Sequence, residues 1–238
     1  MKYEKIIKAT FIDRPNRFVA LVRVGGETVK THVKNTGRCK ELLVPGATVY
    51  LEDFEGRMGE RKMRYSLVGV EKETPAGKLM INMDSQAPNK VAGEALADGR
   101  IKLDGMSPLA VIKPEKTFGK SRFDFYVEDE EGRTAYIEVK GVTLEDEGVV
   151  RFPDAPTERG VKHINELVTA SEAGHFAYII FIIQMEGMKE FRPNDETHKA
   201  FGDALRAASR KGVKVLAYEC CVKENSLEVS RPVKVSLY

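Results

Sequence analysis

The sequence predicts a two-domain protein of the mixed α/β (α+β) class, with an all-β first part and a second part that mixes helices and strands. Residues 1–85 carry short stretches of alternating apolar and polar residues separated by turn sequences, a pattern typical of strands. Residues 86–238 alternate strand-like and helix-like patterns, which favours a central sheet with parallel members. Between them, residues 84–89 contain Ser85, Gln86 and Pro88, so we place the boundary after residue 85.

The first part contains the strands of a small barrel. Alternation predicts strands over residues 5–12, 17–24, 27–34, 47–52 and 62–71. Gly25-Gly26 is a two-residue hairpin signal, and residues 35–43 read as a capped turn followed by one short helix, which Pro45-Gly46 ends. Five strands with one short helix in the middle indicate a five-stranded OB-fold β-barrel, a fold that commonly binds oligonucleotides.

The second part alternates helices with strands of different character. Helical spacing predicts helices over residues 89–103, 157–171 and 195–211. Strands are predicted over residues 109–112, 177–183 and 213–222, in addition to a hairpin that spans residues 123–140. The run 177–183 is entirely apolar, as expected for a strand in a sheet covered on both faces.

The hairpin brings together three residues with chemical potential. If residues 129–133 form its loop, Glu128 pairs with Thr134, and counting back places Asp124 opposite Glu138. Side chains two apart share a strand face, so Lys140 joins Glu138. Like charges opposite each other are destabilising, and a cation such as Mg²⁺ or Mn²⁺ between them would remove that repulsion. The alternative is that both carboxylates are solvated on an exposed face.

Composition and charge limit the functional classes. Hydrophobic residues make up 42% and charged residues 31%, which indicates a globular chain. No apolar run approaches a membrane span, and the N-terminus shows no signal-peptide pattern, so we expect a cytoplasmic protein without membrane contact. Three cysteines without CxxC spacing argue against a disulfide framework or a zinc site. Residues 1–85 hold 16 Lys/Arg against 11 Asp/Glu, whereas residues 86–238 hold 22 against 25. Basic surface attracts phosphate backbones, although ordinary solvation explains this excess equally well.

Four segments in order resemble the sugar fermentation stimulation protein A family over essentially the whole chain. They are Asn35-Thr36-Gly37-Arg38-Cys39 with Pro45-Gly46, Ser121-Arg122-Phe123-Asp124-Phe125, the run from Ile137 to Thr143, and the run from Phe152 to His163. The resemblance implies an OB-fold joined to a domain of the PD-(D/E)xK nuclease superfamily, which is restriction-endonuclease-like. The family is described as DNA-binding and is linked to activation of sugar (maltose) genes.

The resemblance also implies roles for individual residues. Asp124 and Glu138 would ligate Mg²⁺ or Mn²⁺, and Lys140 would position or deprotonate the attacking water or stabilise the negative charge that develops on the phosphate. Glu94, on the helix that opens the second domain, resembles an additional acidic ligand of that superfamily. Phe123 stands where the superfamily motif usually has proline, which lowers the specificity of the match.

Several cations are candidates for contact with nucleic acid. Arg159, Lys162 and His163 share one face of the predicted helix 157–171, where Glu158 and Glu166 could equally serve as partners in a solvated surface; we do not assign His163 a catalytic role. The barrel cations lie at turns or near Thr36-Gly37, and Arg122 lies in the hairpin. The nucleic-acid candidates are Arg14, Arg17, Lys34, Arg38, Lys40, Arg122, Arg159 and Lys162.

The sequence leaves three functions open. The first is a divalent-metal-dependent nuclease acting on DNA that the barrel captures. The second is a DNA-binding regulator of sugar (maltose) metabolism genes with a nuclease fold that no longer cuts. The third is a nuclease acting on RNA, since nothing in the sequence reads a 2′-hydroxyl; DNA is the preferred partner. No helix-turn-helix pattern is present to support direct major-groove reading. The oligomeric state is undetermined, and a dimer is left open.

Overall fold

A computed structural model describes residues 1–35, 37–75 and 77–238 of the chain. Its first domain is a β-barrel, a sheet whose first and last strands pair with each other. Its strands are β1 (Ile6–Asn16), β2 (Val19–Val24), β3 (Glu27–Val33), β4 (Thr48–Asp53), β5 (Tyr65–Thr74) and β6 (Gly77–Asn82). The order β3-β2-β1-β4-β5 closes through a parallel β3–β5 pairing, which makes the predicted five-stranded barrel. Strand β6, which alternation did not reveal, extends β5 outside this ring.

The segment between β3 and β4 is a turn rather than the predicted short helix. The amides of Leu42 and Leu43 both donate to the carbonyl of Cys39, at 3.2 and 2.9 Å, and the chain then reverses at Pro45-Gly46. Too few residues lie between Cys39 and Pro45 to offset the cost of nucleating a helix. Leu42 and Leu43 are buried against the barrel core. Thr36, in the predicted capped turn, lies outside the described residues.

The second domain is built on a six-stranded mixed sheet. Its elements are α1 (Ala87–Ala97), β7 (Leu109–Phe118), β8 (Ser121–Asp129), β9 (Thr134–Val142), β10 (Leu144–Asp146), β11 (Val149–Phe152), α2 (Glu158–Glu172), β12 (Phe176–Ile183), β13 (Glu190–Pro193), α3 (Asp195–Arg210), β14 (Lys214–Lys223), β15 (Ser226–Pro232) and β16 (Lys234–Val235). The central sheet has the order β15-β14-β12-β9-β8-β7, and β10-β11-β13-β16 form a smaller second sheet. The predicted class, an OB-fold barrel followed by a mixed sheet flanked by helices, is confirmed.

Helices cover both faces of the central sheet. Val91, Ala95 and Leu96 of α1 pack with one face, whereas buried residues of α2 and α3 pack with the other. Strand β12 pairs in parallel with β9 on one side and β14 on the other, and each residue from Ala177 to Ile183 is at most 1% exposed. The apolar run 177–183 therefore forms the covered central strand that its composition predicts.

Several predicted boundaries moved, and the two largest changes are at the ends of α1 and β7. Helix α1 ends at Ala97 rather than residue 103, because Gly99 takes a left-handed φ of +75° and the amide of Gly99 closes the last turn on Leu96. Strand β7 extends to Phe118 because it pairs with β8 along its length. The strands missed by the sequence pattern are mostly short or at sheet edges, where alternation is weak. Among the described residues, no helix is long and apolar enough to cross a membrane.

Buried polar contacts fix the barrel against the second domain. Gln184, at the end of β12, donates from its side chain to Asn82 and to the carbonyl of Asp84, at 3.0–3.1 Å. Asp84 in turn accepts from Lys34 of the barrel at 2.6 Å. Gln184 and Asp84 are each 2% exposed, so these bonds are shielded from water. The barrel is thereby held close to the end of β9, which carries the candidate site.

Candidate metal centre and nucleic-acid interface

The β8–β9 hairpin has the predicted register up to its open end. Glu128 pairs with Thr134, and the ladder continues to the Phe125–Ile137 pair, one step before Asp124 would face Glu138. At that point the backbone pairing of the two strands ends, and the Val139 amide donates to the Asp124 side chain, at 2.7 Å to Oδ2. Asp124 and Glu138 therefore both lie at the open end of the hairpin, close enough for the charge of Glu138 to act on Asp124.

The pleat of β8 breaks at Asp124. Phe123 packs with the α2 side of the sheet, whereas Phe125 packs with the α1 side. Residues two apart share a face in a regular strand, so the chain turns over between them. On the neighbouring strand β7, Glu115 has a left-handed φ of +55°. Asp124 lies at this irregularity, and its carboxylate accepts hydrogen bonds from β9 and from α1.

Glu138 is held in a polar pocket on the α2 side and is 2% exposed. Its Oε1 atom receives two donors at 2.5 Å, the Lys140 ammonium and His163 Nδ1. Its Oε2 atom is buried and has no hydrogen-bond partner among the described residues. Burial alone would raise the pKa of Glu138, but the hydrogen bond from His163 and the charge of Lys140 outweigh it and lower that pKa.

Asp124 is fixed by α1 as well as by β9. The side-chain amide of Asn89 donates to Asp124 Oδ1 at 2.6 Å, and Asn89 sits in the first turn of α1 directly after Pro88. Burial, followed by the charge of Glu138, raises the pKa of Asp124. One carboxylate is thus stabilised in its charged form and the other is destabilised, as expected for two acidic groups held close together.

The structure does not bring Glu94 to these carboxylates. Glu94 Oε2 lies 2.7 Å from the Met1 amino group, which also donates to the carbonyl of Leu227 on β15. Glu94 and Asn89 are five residues apart, about 1.4 helical turns, so they leave α1 in different directions. Asn89 is the α1 residue that contacts Asp124. In the described part of the chain, no three His, Cys, Asp or Glu side chains form a ready-made metal cluster.

Two of the predicted nucleic-acid cations have internal partners. The Arg14 guanidinium donates to the carbonyls of four residues, at 2.7–2.9 Å: Arg17, Asn35, Gly37 and Arg38. Lys34 forms its ion pair with Asp84. Arg14 therefore ties the β1–β2 turn to the loop after β3, and Lys34 ties the barrel to the second domain.

The remaining candidate cations are exposed. Exposed on the barrel surface are Arg17, in the β1–β2 turn, and Arg38 and Lys40, in the loop after β3. The Arg17 guanidinium lies 4.6 Å from the ring centre of Phe18, which is 44% exposed. Arg122 lies 3.4 Å from Glu115 in an exposed pair. Lys162 donates to the carbonyl of Lys120 at 3.3 Å.

Arg159 and His163 form a connected pair on α2. Arg159 Nε lies 3.4 Å from His163 Nε2, and His163 is 6% exposed. The sequence pattern places His163 on this helix face without indicating a role for it, and no pattern points to Asn89. The spacing of four residues between Arg159 and His163 gave the shared face, but the contact with Glu138 depends on how α2 packs on β9. The position of Asn89 next to Pro88 indicates only a helix start.

The loop after β3 also meets the second domain beside the site. A cavity of about 120 Å³ lies there, lined on the barrel side by Asn35 and on the other by Gly141, Asp154 and Gln184 among others. Gly141 directly follows Lys140, and a Cβ atom on Gly141 would lie 2.6 Å from both Pro88 and Gln184. The glycine therefore permits the close approach of α1 to β9 that brings Asn89 to Asp124.

Comparison with known proteins places the chain in one family. The model described as "Sugar fermentation stimulation protein RE domain" matches residues 86–226, and that described as "SfsA N-terminal OB domain" matches residues 12–81. The sugar fermentation stimulation protein homolog of Desulfitobacterium hafniense (strain Y51) is 53% identical over 239 residues, covering 100% of this chain and 99% of the relative. The homolog of Clostridium beijerinckii is 50% identical over 237 residues, with 100% of both chains covered.

A solved structure agrees over the same length. It is that of Pyrococcus furiosus SfsA in complex with Ca²⁺, with a TM-score of 0.85, 26% sequence identity, and coverage of 99% of this chain and 98% of that chain. The resemblance seen in the sequence motifs is thus confirmed in both domains. The chain belongs to the sugar fermentation stimulation protein (SfsA) family.

Proposed function

We propose that this protein hydrolyses phosphodiester bonds in DNA, using Mg²⁺ or Mn²⁺ held by Asp124 and Glu138. The observation that carries the proposal is Glu138 Oε2, a buried carboxylate oxygen without a partner among the described residues, beside a second carboxylate. Unpartnered buried polar atoms are costly, and a hard cation with oxygen ligands is the partner that both groups fit. The Pyrococcus furiosus relative was solved in complex with Ca²⁺, a cation that prefers oxygen ligands, and this supports the proposal.

The chain's own residues divide the work around that cation. When bound, the cation would supply neutralisation of the phosphate charge and a more acidic water. Asn89 and the Val139 amide keep Asp124 in place. The Lys140 ammonium, now on Glu138 Oε1, is close enough to the carboxylates to turn toward an attacking water or a phosphate oxygen, and it can donate to either.

The exposed cations would bind the DNA backbone. Arg17, Arg38 and Lys40 project from the barrel, and Arg122, Arg159 and Lys162 project from β8 and α2. Arg14 and Lys34 leave this set, because the two terminal nitrogens of Arg14 bind backbone carbonyls and the Lys34 ammonium binds Asp84 inside the protein. Phosphate contacts of this kind position a duplex or single strand without reading its sequence. We therefore expect the DNA interface to span both domains and to include the metal centre.

The experiment that tests the proposal is cleavage of end-labelled single- and double-stranded DNA and of end-labelled RNA of the same sequence. Wild type is compared with Asp124→Asn, Glu138→Gln and Lys140→Met, each with Mg²⁺, Mn²⁺ or EDTA. We expect metal-dependent products from the wild type that all three variants lose. Binding of DNA by all four proteins with no product under any condition would instead favour the DNA-binding regulator of sugar metabolism genes. Preferential cutting of RNA would redirect the proposal to RNA.

A further inference from the structure

The unusual feature of the metal centre is that both donors to Glu138 reach the same oxygen. Lys140 Nζ and His163 Nδ1 each lie 2.5 Å from Oε1, whereas Oε2 has no partner among the described residues. Two donors on one oxygen and none on the other hold the carboxylate in one orientation about its Cγ–Cδ bond. A carboxylate held in this way presents a single oxygen in a defined direction.

The two donors differ in rigidity. Lys140 has a long side chain with many rotamers and is expected to leave Oε1 when water or phosphate arrives. His163 is 6% exposed, and its helix is anchored by Ile164 and Leu167, which are both fully buried. Its ring also meets the edge of Phe123, with ring centres 6.4 Å apart and planes at 70°. His163 is therefore the donor that remains on Glu138 Oε1 when Lys140 leaves it.

The neighbour on the other side of the ring decides which nitrogen carries the hydrogen. Arg159 Nε lies 3.4 Å from His163 Nε2, and a guanidinium can only donate. Nε2 must then accept, which puts the ring hydrogen on Nδ1, the nitrogen that faces Glu138 Oε1. The two residues are four apart on α2, so one helix face supplies the whole chain of contacts.

We propose that His163 is a positioning residue of the metal centre. Its Nδ1–H holds Glu138 Oε1, turns Oε2 toward the cation, and keeps it there after Lys140 moves to the substrate. Arg159 fixes the tautomer that makes this possible. The inference rests on the proposed metal site and assigns to it a residue outside the Asp124–Glu138–Lys140 set. Removal of such outer partners typically weakens metal affinity about 10–100-fold.

Two substitutions of the same histidine separate this role from a merely structural one. Asparagine places an amide N–H at the same number of bonds from Cα as Nδ1, whereas glutamine places it one bond further, near Nε2. Titration with Mn²⁺ by calorimetry is the readout, with circular dichroism and thermal melting used to confirm that each variant folds. We expect His163→Asn to keep the wild-type affinity and His163→Gln to weaken it about 10–100-fold.

The outcomes of this titration are distinguishable. No Mn²⁺ binding by the wild type would overturn the proposed metal site itself. Binding by the wild type with equal affinity in the folded His163→Gln variant would overturn only the positioning role of His163.

The tautomer is tested independently on the ¹⁵N-labelled wild type. NMR correlations of the His163 ring should show a hydrogen on Nδ1. A ring without a hydrogen on Nδ1 could not donate to Glu138, and that result would also overturn the inference.

Discussion

Replacing Asp124 by asparagine removes a charged group whose burial lowers the free energy of unfolding at neutral pH. Burial and the charge of Glu138 raise the pKa of Asp124 above its ordinary value of 3.8. The folded state therefore binds this proton more tightly than the unfolded state, and the wild type loses stability as the pH rises through the raised pKa. We expect metal-free Asp124→Asn to melt at a higher temperature than the wild type at pH 7, and the two to converge below about pH 4.

The substitution also fits the local hydrogen bonds. The asparagine oxygen can accept from the Val139 amide as Asp124 Oδ2 does. Its amide group can donate to the oxygen of Asn89 once the Asn89 side-chain amide is turned over, which replaces the present bond at 2.6 Å. Neither partner is left unsatisfied, so the change in melting temperature reports the charge.

Mn²⁺ should reverse the order of the two melting temperatures, because it should stabilise the wild type more than Asp124→Asn. Mn²⁺ at a hundred times its Kd stabilises the folded wild type by about 2.7 kcal/mol. A chain of 238 residues has an unfolding entropy of about 0.5 kcal/mol/K, so the wild-type Tm should rise by about 5 °C. Asp124→Asn has lost one charged ligand and should show little of this rise.

The assay is thermal unfolding from pH 3 to 8 in EDTA and in Mn²⁺. Glu128→Gln serves as control, because it removes a carboxylate from the same strand four residues away from the site. A metal-free Asp124→Asn variant that melts at or below the wild-type temperature at pH 7 would refute the argument from the pKa. An equal Mn²⁺ shift in both chains would refute the placement of the metal.

Three further predictions concern the surroundings of the site. Gly141→Ala should destabilise the protein by about 1–3 kcal/mol in urea unfolding, because its Cβ would meet Pro88 and Gln184 at 2.6 Å; an unchanged midpoint would contradict the close approach. Arg14→Leu should speed hydrogen exchange in the loop 37–40, since it removes the donors to four carbonyls, and unaltered protection would exclude the proposed tie. Arg38→Ala should weaken DNA binding equally across sequences and lower the slope of log affinity against log salt by about 1; fluorescence anisotropy over a salt series measures this, and an unaltered slope would remove Arg38 from the interface.

Much of the fold follows from local sequence because strand and helix patterns are local. The alternation of β8 and β9 and the length of their loop were enough to predict the Glu128–Thr134 register, which the structure confirms. The apolar run of β12 likewise predicted a covered strand. Short strands such as β10 and β16 carry too few residues for a period to be recognised.

Local sequence patterns are enough to predict the two-domain class, the register of the hairpin and the proximity of Asp124, Glu138 and Lys140, since all three residues lie on one antiparallel pair. The residues of distant elements that complete the site depend instead on tertiary packing. It brought Asn89 rather than Glu94 to Asp124, placed His163 on Glu138, and turned Arg14 and Lys34 inward. A helical period tells which residues share a face, but the docking of that helix against the sheet sets which atoms come within hydrogen-bond distance, and docking depends on side-chain packing across the whole domain.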